Sequence, residues 1–550
     1  MRNTVLLALT SLAFATTAAA QTAQATPTTL PLTVEQAIRM AVDHNLDLSA
    51  ERINPQISDM KVGAAAGAFT PSFNTGVQRN NQLQPPTNFL VPTATRNDAV
   101  TSTLGVAQRL PHFGTLYNVS WNAVHTDSNS VLNSYNPLVQ SGLALNLSQP
   151  LIRDRSIDSP RQQLATSRIN RDIADTRLQE TLVHTTANVK SAYWNLVAAI
   201  ANVDSRRTSL DLAQELVRVN SVKVNVGQSP TLDLVSAQAE VASDQEALII
   251  AETAVKEAED QLRMLIYDPT DRAVWNVTIQ PIDPPPLATV NPDIDAAVTS
   301  ALRDRADLLR ARKDIDNSAV NVKGAGNSRL PDVRLNLGYT ASGLGGTQVQ
   351  RTGGFPGTVT GAGPVTGFSS VLNQLFTSNY PTWSAGVSVS YPIGQSSEDA
   401  NYARTQLEAR QSTERLKSAE ARVIQQIRTA GRKIQMNAQR MQTTRLASEL
   451  AEQRLDAEQK RFEVGMSTNF LVIQAQRDLA QAKQSQLAAT LAYVLSQVDF
   501  EALQQAGPQG VLAGGSADQG QASATPAGGA TAAQLGATSA VVSGARVLGF

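Results

Sequence analysis

The sequence predicts a mainly α-helical fold with a smaller membrane β component: a long coiled-coil barrel or tunnel joined to a transmembrane β-barrel that several chains share. Three observations predict it. Two very long stretches are nearly free of glycine and proline, and a few short segments alternate as strands do. The chain also says the same thing twice, as helix, strand, loop, strand, very long helix, tight turn and returning helix in each half.

The helices come first. Residues 156–226 contain one proline, Pro160, and Ala, Leu, Gln, Arg and Val dominate them, a helix-forming mixture. Leu210, Ala213, Val217, Asn220 and Val224 recur at three- and four-residue steps, a narrow seam of small knobs as in a coiled coil. The counterpart runs from about Asp399 to Val464, with Gly431 its only glycine. At 1.5 Å per residue either stretch is roughly 100 Å long, too long for an ordinary domain. Gly227 and Gly465 stop these helices, because glycine reaches positive φ freely at a helix C-terminus. Ser229 is expected to cap the next helix with Pro230 just inside it, and Thr468 to do so in the second copy. The returning helices run to about Ile266 and Ala506.

The two turns align residue by residue. Val226-Gly227-Gln228-Ser229-Pro230 matches Val464-Gly465-Met466-Ser467-Thr468, and Lys223 falls on Arg461 at the same offset. Asp233 follows the first turn, and Ala237-Gln238 matches Ala475-Gln476.

Strands are expected at 71–79, 141–149, 331–341 and 383–391, each apolar on one face and small or polar on the other. About ten such residues suffice for a membrane strand. Thr101–Leu110 and Thr115–Thr126 flank Pro111-His112-Phe113-Gly114 as an extra hairpin of the first half only; it either enlarges the barrel or extends outside it. Residues 342–370, rich in Gly, Thr, Pro and Val, are expected as a long external loop. Pro150 and Pro392 mark the strand-to-helix junctions. A membrane sheet must close on itself, and a single-chain barrel begins at eight strands, so several chains must share one barrel.

Composition sets the compartment. Arg2, the apolar run Val5–Ala15 and Ala18-Ala19-Ala20 form the pattern of a secretory signal peptide over 1–20. There is no cysteine, which excludes disulfides and a lipidated N-terminal cysteine. Net charge is −1 with 17% charged residues, so no nucleic-acid partner is expected. No apolar run downstream is long enough for a spanning helix. The expected organisation is signal peptide 1–20, flexible segment 21–29, first repeat 30–268, Pro-rich connector 269–292, second repeat 293–506 and flexible tail 507–550. Deleting 510–550 is expected to leave assembly intact.

The opening Leu32-Thr33-Val34-Glu35-Gln36-Ala37-Ile38, the His44-Asn45 that follows, the doubled Val-Gly turns and the strand ends Ser148-Gln149-Pro150-Leu151 and Ser390-Tyr391-Pro392-Ile393 together resemble the TolC-type outer membrane efflux family over about 30–506. The resemblance implies a trimer in which each chain gives four strands to a twelve-stranded barrel above a periplasmic tunnel. It implies these partners: two identical protomers, a periplasmic adaptor meeting the tips around Gly227 and Gly465, an inner-membrane pump, and outer-membrane lipid. No cofactor or metal is expected. Asp233 stands where relatives carry an entrance acid, with Lys223 and Arg461 placed for nearby ion pairs. Leu471 and Gln474 depart from the aspartates a relative carries, which argues against a doubled carboxylate ring.

Two other classes compete with this reading. An enzyme finds little support: His44, His112, His125 and His184 are scattered, and no nucleophile elbow or phosphate loop occurs. An exported structural or adhesive coiled coil would use the long helices and make no conductance. Heat-resistant oligomers in outer-membrane extracts separate that reading from a passive channel.

Overall fold

The structure, a computed structural model, describes residues 29–86, 94–130, 132–286, 288–354, 357–394 and 396–508. The expected signal peptide, the segment 21–28 and the tail from 509 onward lie outside the described residues. The chain runs β1 (Thr29–Leu32), α1 (Val34–His44), α2 (Leu46–Glu51), α3 (Ile53–Ala66), β2 (Ser72–Gln84), β3 (Thr95–Arg109), β4 (Leu116–Ser128), β5 (Tyr135–Pro150), α4 (Ser159–Asn225) and α5 (Thr231–Ile266). The second half follows as β6 (Thr278–Pro281), α6 (Ile294–Asp304), α7 (Ala306–Ser328), β7 (Asp332–Thr352), β8 (Thr358–Thr366), α8 (Phe368–Phe376), β9 (Tyr380–Ser390), α9 (Ser397–Glu463) and α10 (Asn469–Gln505).

Both long helices contain 67 residues, about 100 Å at the standard rise. Their starts are chemically marked. Asp158 accepts the Arg161 N–H at 3.0 Å with Pro160 inside the first turn of α4, and Ser396 accepts the Asp399 N–H in α9. Packing is distributed along the helices instead of being gathered in one core. Ala37 and Ala41 of α1 pack with Tyr193, Leu262 and Ile279; Ala297 and Ala301 of α6 pack with Ile427, Tyr493 and Phe500. Small residues one helical turn apart let a short helix approach a long one closely, and each half does this once. Two tyrosines pin the connector: Tyr193 accepts the Asp283 N–H at 3.1 Å, and Tyr493 donates to the Ala288 carbonyl at 2.8 Å. A third cluster, near the turns, joins Leu216, Phe462, Val472 and Ile473.

The strands form one antiparallel sheet in the order β2-β3-β4-β5-β7, with β9 beside Asp332–Ser342 of β7 and β8 beside its far end. The hairpin of the first half is therefore part of the sheet. This corrects the expectation of four strands per chain: six run side by side. The cause is non-local, since β3 and β4 insert between β2 and β5.

Register divides the sheet into two faces. Phe73, Val106, Val119, Leu145, Tyr339 and Trp383 lie opposite one another in a single row across all six strands. The adjacent row is Asn74, Gly105, Ser120, Ala144, Thr340 and Thr382. Directly opposed residues share a face and successive residues alternate, so one face is apolar and the other small or polar. Such a sheet suits hydrocarbon on one side and water on the other. Its outer edges, on β2 and β9, have no strand partner among the described residues.

The expected loop 342–370 is corrected as well. β7 continues to Thr352, and β8 and α8 follow. Gly343 and Gly345 leave room for Val371, whose atoms lie within 3 Å of where their Cβ atoms would stand. Between the reach of β9 and that of β8, the Gln374 side chain takes a strand's place, accepting the Leu344 N–H at 2.9 Å and donating to its carbonyl at 3.2 Å.

Candidate functional site

The two helical turns have the same local chemistry. Gly227 has φ 76° and Gly465 φ 80°. In each, the next residue's N–H reaches back to close the helix: Gln228 to the Lys223 carbonyl, Met466 to that of Arg461, both at 2.8 Å. With the bonds from Gly227 to Val224 and from Gly465 to Phe462, these are paired Schellman motifs. Nothing lies within 4 Å of where a Cβ would stand on either glycine, so backbone conformation alone demands them.

The following caps differ. Thr468 accepts the Leu471 N–H at 3.4 Å, but Ser229 caps nothing. Pro230 is the N-cap of α5, without a side-chain bond. The reason is register: Pro230 aligns with Thr468, and Ser229 aligns with Ser467, which bonds Glu458 in the second copy.

Each turn presents apolar side chains to solvent. Val226, Leu232, Val464, Met466 and Phe470 are all about two-thirds or more exposed. The charges expected near the entrance are placed differently from one another. Lys223 donates to the Phe462 carbonyl at 2.7 Å and lies 3.6 Å from the centre of its ring. Arg461 pairs with Glu458 at 3.6 Å. Among the described residues Asp233 joins no ion pair; its carbonyl accepts from Asn469 at 3.1 Å.

Contacts that sequence alone did not disclose tie the two hairpins together near the turns. Buried Asn220 donates to Asn469 at 2.7 Å, Gln476 to the Leu212 carbonyl at 3.1 Å, and Arg477 grips both oxygens of Glu240 at 2.6–3.1 Å. Asn220 sat in the predicted seam, and an amide among apolar knobs was the available signal. The Arg477–Glu240 pair joins residues from opposite halves and left none. Burial pushes the nearby Asp244 carboxyl up, and the Glu240 charge adds to that. Replacing Arg477 with Ala leaves two acids facing each other. A loss of about 1–2 kcal/mol is expected, because Arg477 is two-thirds exposed and its pair is screened. A melting curve of the oligomer checks it, and single-channel recording should show more frequent opening.

At the opposite end, Pro150 is buried at the foot of β5, whereas Pro392 is exposed. The difference is the turn of the β3–β4 hairpin, which packs on the first junction. Asp158 there accepts from Arg161 Nε at 2.9 Å and Arg109 at 3.1 Å. Burial opposes its charge, but these arginines outweigh it and hold the carboxyl below its usual range. No group of acidic, histidine or cysteine side chains among the described residues could hold a metal.

Long paired helices below an antiparallel sheet with one apolar face define a tunnel-and-barrel protein of the outer membrane. The chain belongs to the outer membrane efflux protein family, whose sequence pattern matches residues 37–266 and again 297–504. It is 24% identical to the outer membrane protein TolC of Escherichia coli over 328 residues, 59% of this chain and 61% of that one, so the match spans about three-fifths of the relative. Among solved structures, CusC superposes with a TM-score of 0.63 at 14% identity, covering 88% of this chain and 94% of that one. The CmeC outer membrane channel of Campylobacter jejuni gives 0.58 at 15%, covering 86% and 85%. These likenesses share the fold, and family membership makes the chain an outer membrane efflux protein.

The partner count needs correction. A pair of identical protomers does not describe the assembly, because channels of this family are homotrimers. The free edges on β2 and β9 are different surfaces. Copies that join head to tail give each chain a separate neighbour at either edge, as a closed ring of three requires.

Proposed function

We propose that this chain is the passive exit duct of a tripartite efflux or type I secretion system. Three copies close their sheets into one outer-membrane barrel, and their helices continue as a periplasmic tube. A periplasmic adaptor docks on the apolar tips around Gly227 and Gly465 and joins the tube to an inner-membrane pump, which supplies the free energy and selects the cargo. Residues 1–20 direct export and are removed. Asp233, repeated three times, forms one ring of charge at the entrance.

One observation carries this reading: a sheet apolar across one face, with two open edges, stands on the same chain as a pair of 67-residue helices. A solitary coiled coil accounts for the helices but leaves the apolar face without a purpose. Protein extracted from outer membranes should have the native mass of three chains and conduct ions across a planar bilayer. A monomer without conductance would end the proposal.

The tips provide a separate check. Gly227→Val and Gly465→Val each force a branched side chain into left-handed backbone, at roughly 1–2 kcal/mol per site. Adaptor recovered in a pull-down should fall several-fold while outer-membrane levels hold. Unchanged recovery would remove the tip assignment.

A further inference from the structure

Among the described residues β3 and β4 have no counterpart in the second half, where β7 and β9 pair directly, and the duct as proposed makes no use of them. Three features place them in the barrel wall. First, β2 pairs with β3, β3 with β4 and β4 with β5 without a register shift. Second, both strands keep the two faces of their neighbours. Leu104 and Trp121 oppose each other on the apolar side, as do Val106 and Val119; Thr103 and Asn122 oppose each other on the polar side. A hairpin projecting into water has no use for an apolar row. Third, its lower end is built into the junction. Arg109 pairs with Asp158 at 3.1 Å, and the Phe113 carbonyl accepts from Gln149 at 3.3 Å. At Gly114, with φ 69°, a Cβ would stand 2.7 Å from the Asp154 carbonyl oxygen. β3 and β4 contain 15 and 13 residues, beyond the roughly 9–11 that cross a bilayer.

We infer that the hairpin widens the outer-membrane barrel: three chains with six strands each close an eighteen-stranded wall, β9 of one copy pairing with β2 of the next. This rests on the trimeric channel proposed above. β2 and β9 run in opposite directions, so antiparallel pairing continues unbroken around the ring. Barrel width grows about linearly with strand number, so at equal tilt eighteen strands enclose a lumen about 1.5 times as wide as twelve, and barrels of sixteen to eighteen strands hold an aqueous channel. The inward rows offer amides and hydroxyls, such as Asn118, Ser120, Asn122, Asn146 and Thr340. A bulky or extended cargo meets a wide, polar bore there, with Arg109 and Arg334 on the same face at its lower end.

Electron cryomicroscopy of the full-length oligomer in lipid nanodiscs counts the strands directly, and native mass spectrometry of the same sample counts the chains. Three chains with eighteen strands is the expected result. Three chains with a twelve-stranded wall and the hairpin outside it would overturn the inference and leave the channel intact. Two chains with twelve strands would overturn the eighteen and the trimer together, and a monomer would remove the channel reading itself. The absence of cysteine allows a second readout on the intact chain. A nitroxide at Val119→Cys should collide with lipid-dissolved oxygen, and one at Ser120→Cys with a water-soluble nickel chelate. Water exposure at both positions would contradict a place in the wall.

Discussion

Leu145→Arg should abolish assembly in the outer membrane, whereas Asn146→Arg, one residue along the same strand, should be tolerated. Leu145 lies in the apolar row, between Val119 and Tyr339. An arginine on the lipid face near the bilayer midplane costs about 2–4 kcal/mol, and a trimer meets that cost three times. Asn146 lies in the polar row, between Asn118 and Gly338, where a cation faces water and changes ion selectivity instead. Heat-resistant oligomer in outer-membrane extracts, compared between the two variants, checks the prediction. Equal loss from both would mean that the two faces are not lipid and lumen.

Asp158→Ala should weaken the first junction by about 2–3 kcal/mol. The substitution removes a helix cap, typically near 1 kcal/mol. It also removes charge-assisted bonds from Arg109 and Arg161, which together add about 1–2 kcal/mol because Arg109 is one-third exposed and its pair is screened. Arg109 and the hairpin turn then lose their anchor on α4. The pH dependence has a definite sign. The folded carboxyl titrates below its unfolded value, so its contribution is fully present above the ordinary carboxylate range and disappears as pH falls through the lower, folded value. Wild type and variant should therefore differ at neutral pH and converge in strong acid. Melting of the oligomer across that range tests this, and a difference independent of pH would show that the carboxylate charge is not the cause.

The helices were legible because their signals are local. Gly227 and Gly465 mark the turns, and α5 and α10 end at Ile266 and Gln505, where the periodic pattern stops. Strand presence was legible for the same reason, through alternation such as Leu143, Leu145 and Leu147. Strand neighbours were not. That β3 and β4 enter the sheet between β2 and β5 depends on pairing, which no local pattern records. The segment after Ala341 misled because Gly343 and Gly345 carry no side chains to alternate; they make room for Val371 of α8 instead. Ser229 misled because a serine beside a proline is a common cap, and only alignment with the second turn gives Pro230 that place. The Arg477–Glu240 grip, across the two halves, needed coordinates.

Nitroxide scanning of positions 143–148 in the reconstituted oligomer tests most directly whether strands with an open edge in one chain are completed in lipid by sister chains. Oxygen accessibility should peak at 143, 145 and 147, and nickel-chelate accessibility at 144, 146 and 148. A chain that stays monomeric in buffer, with the odd positions shielded from both probes, would contradict it.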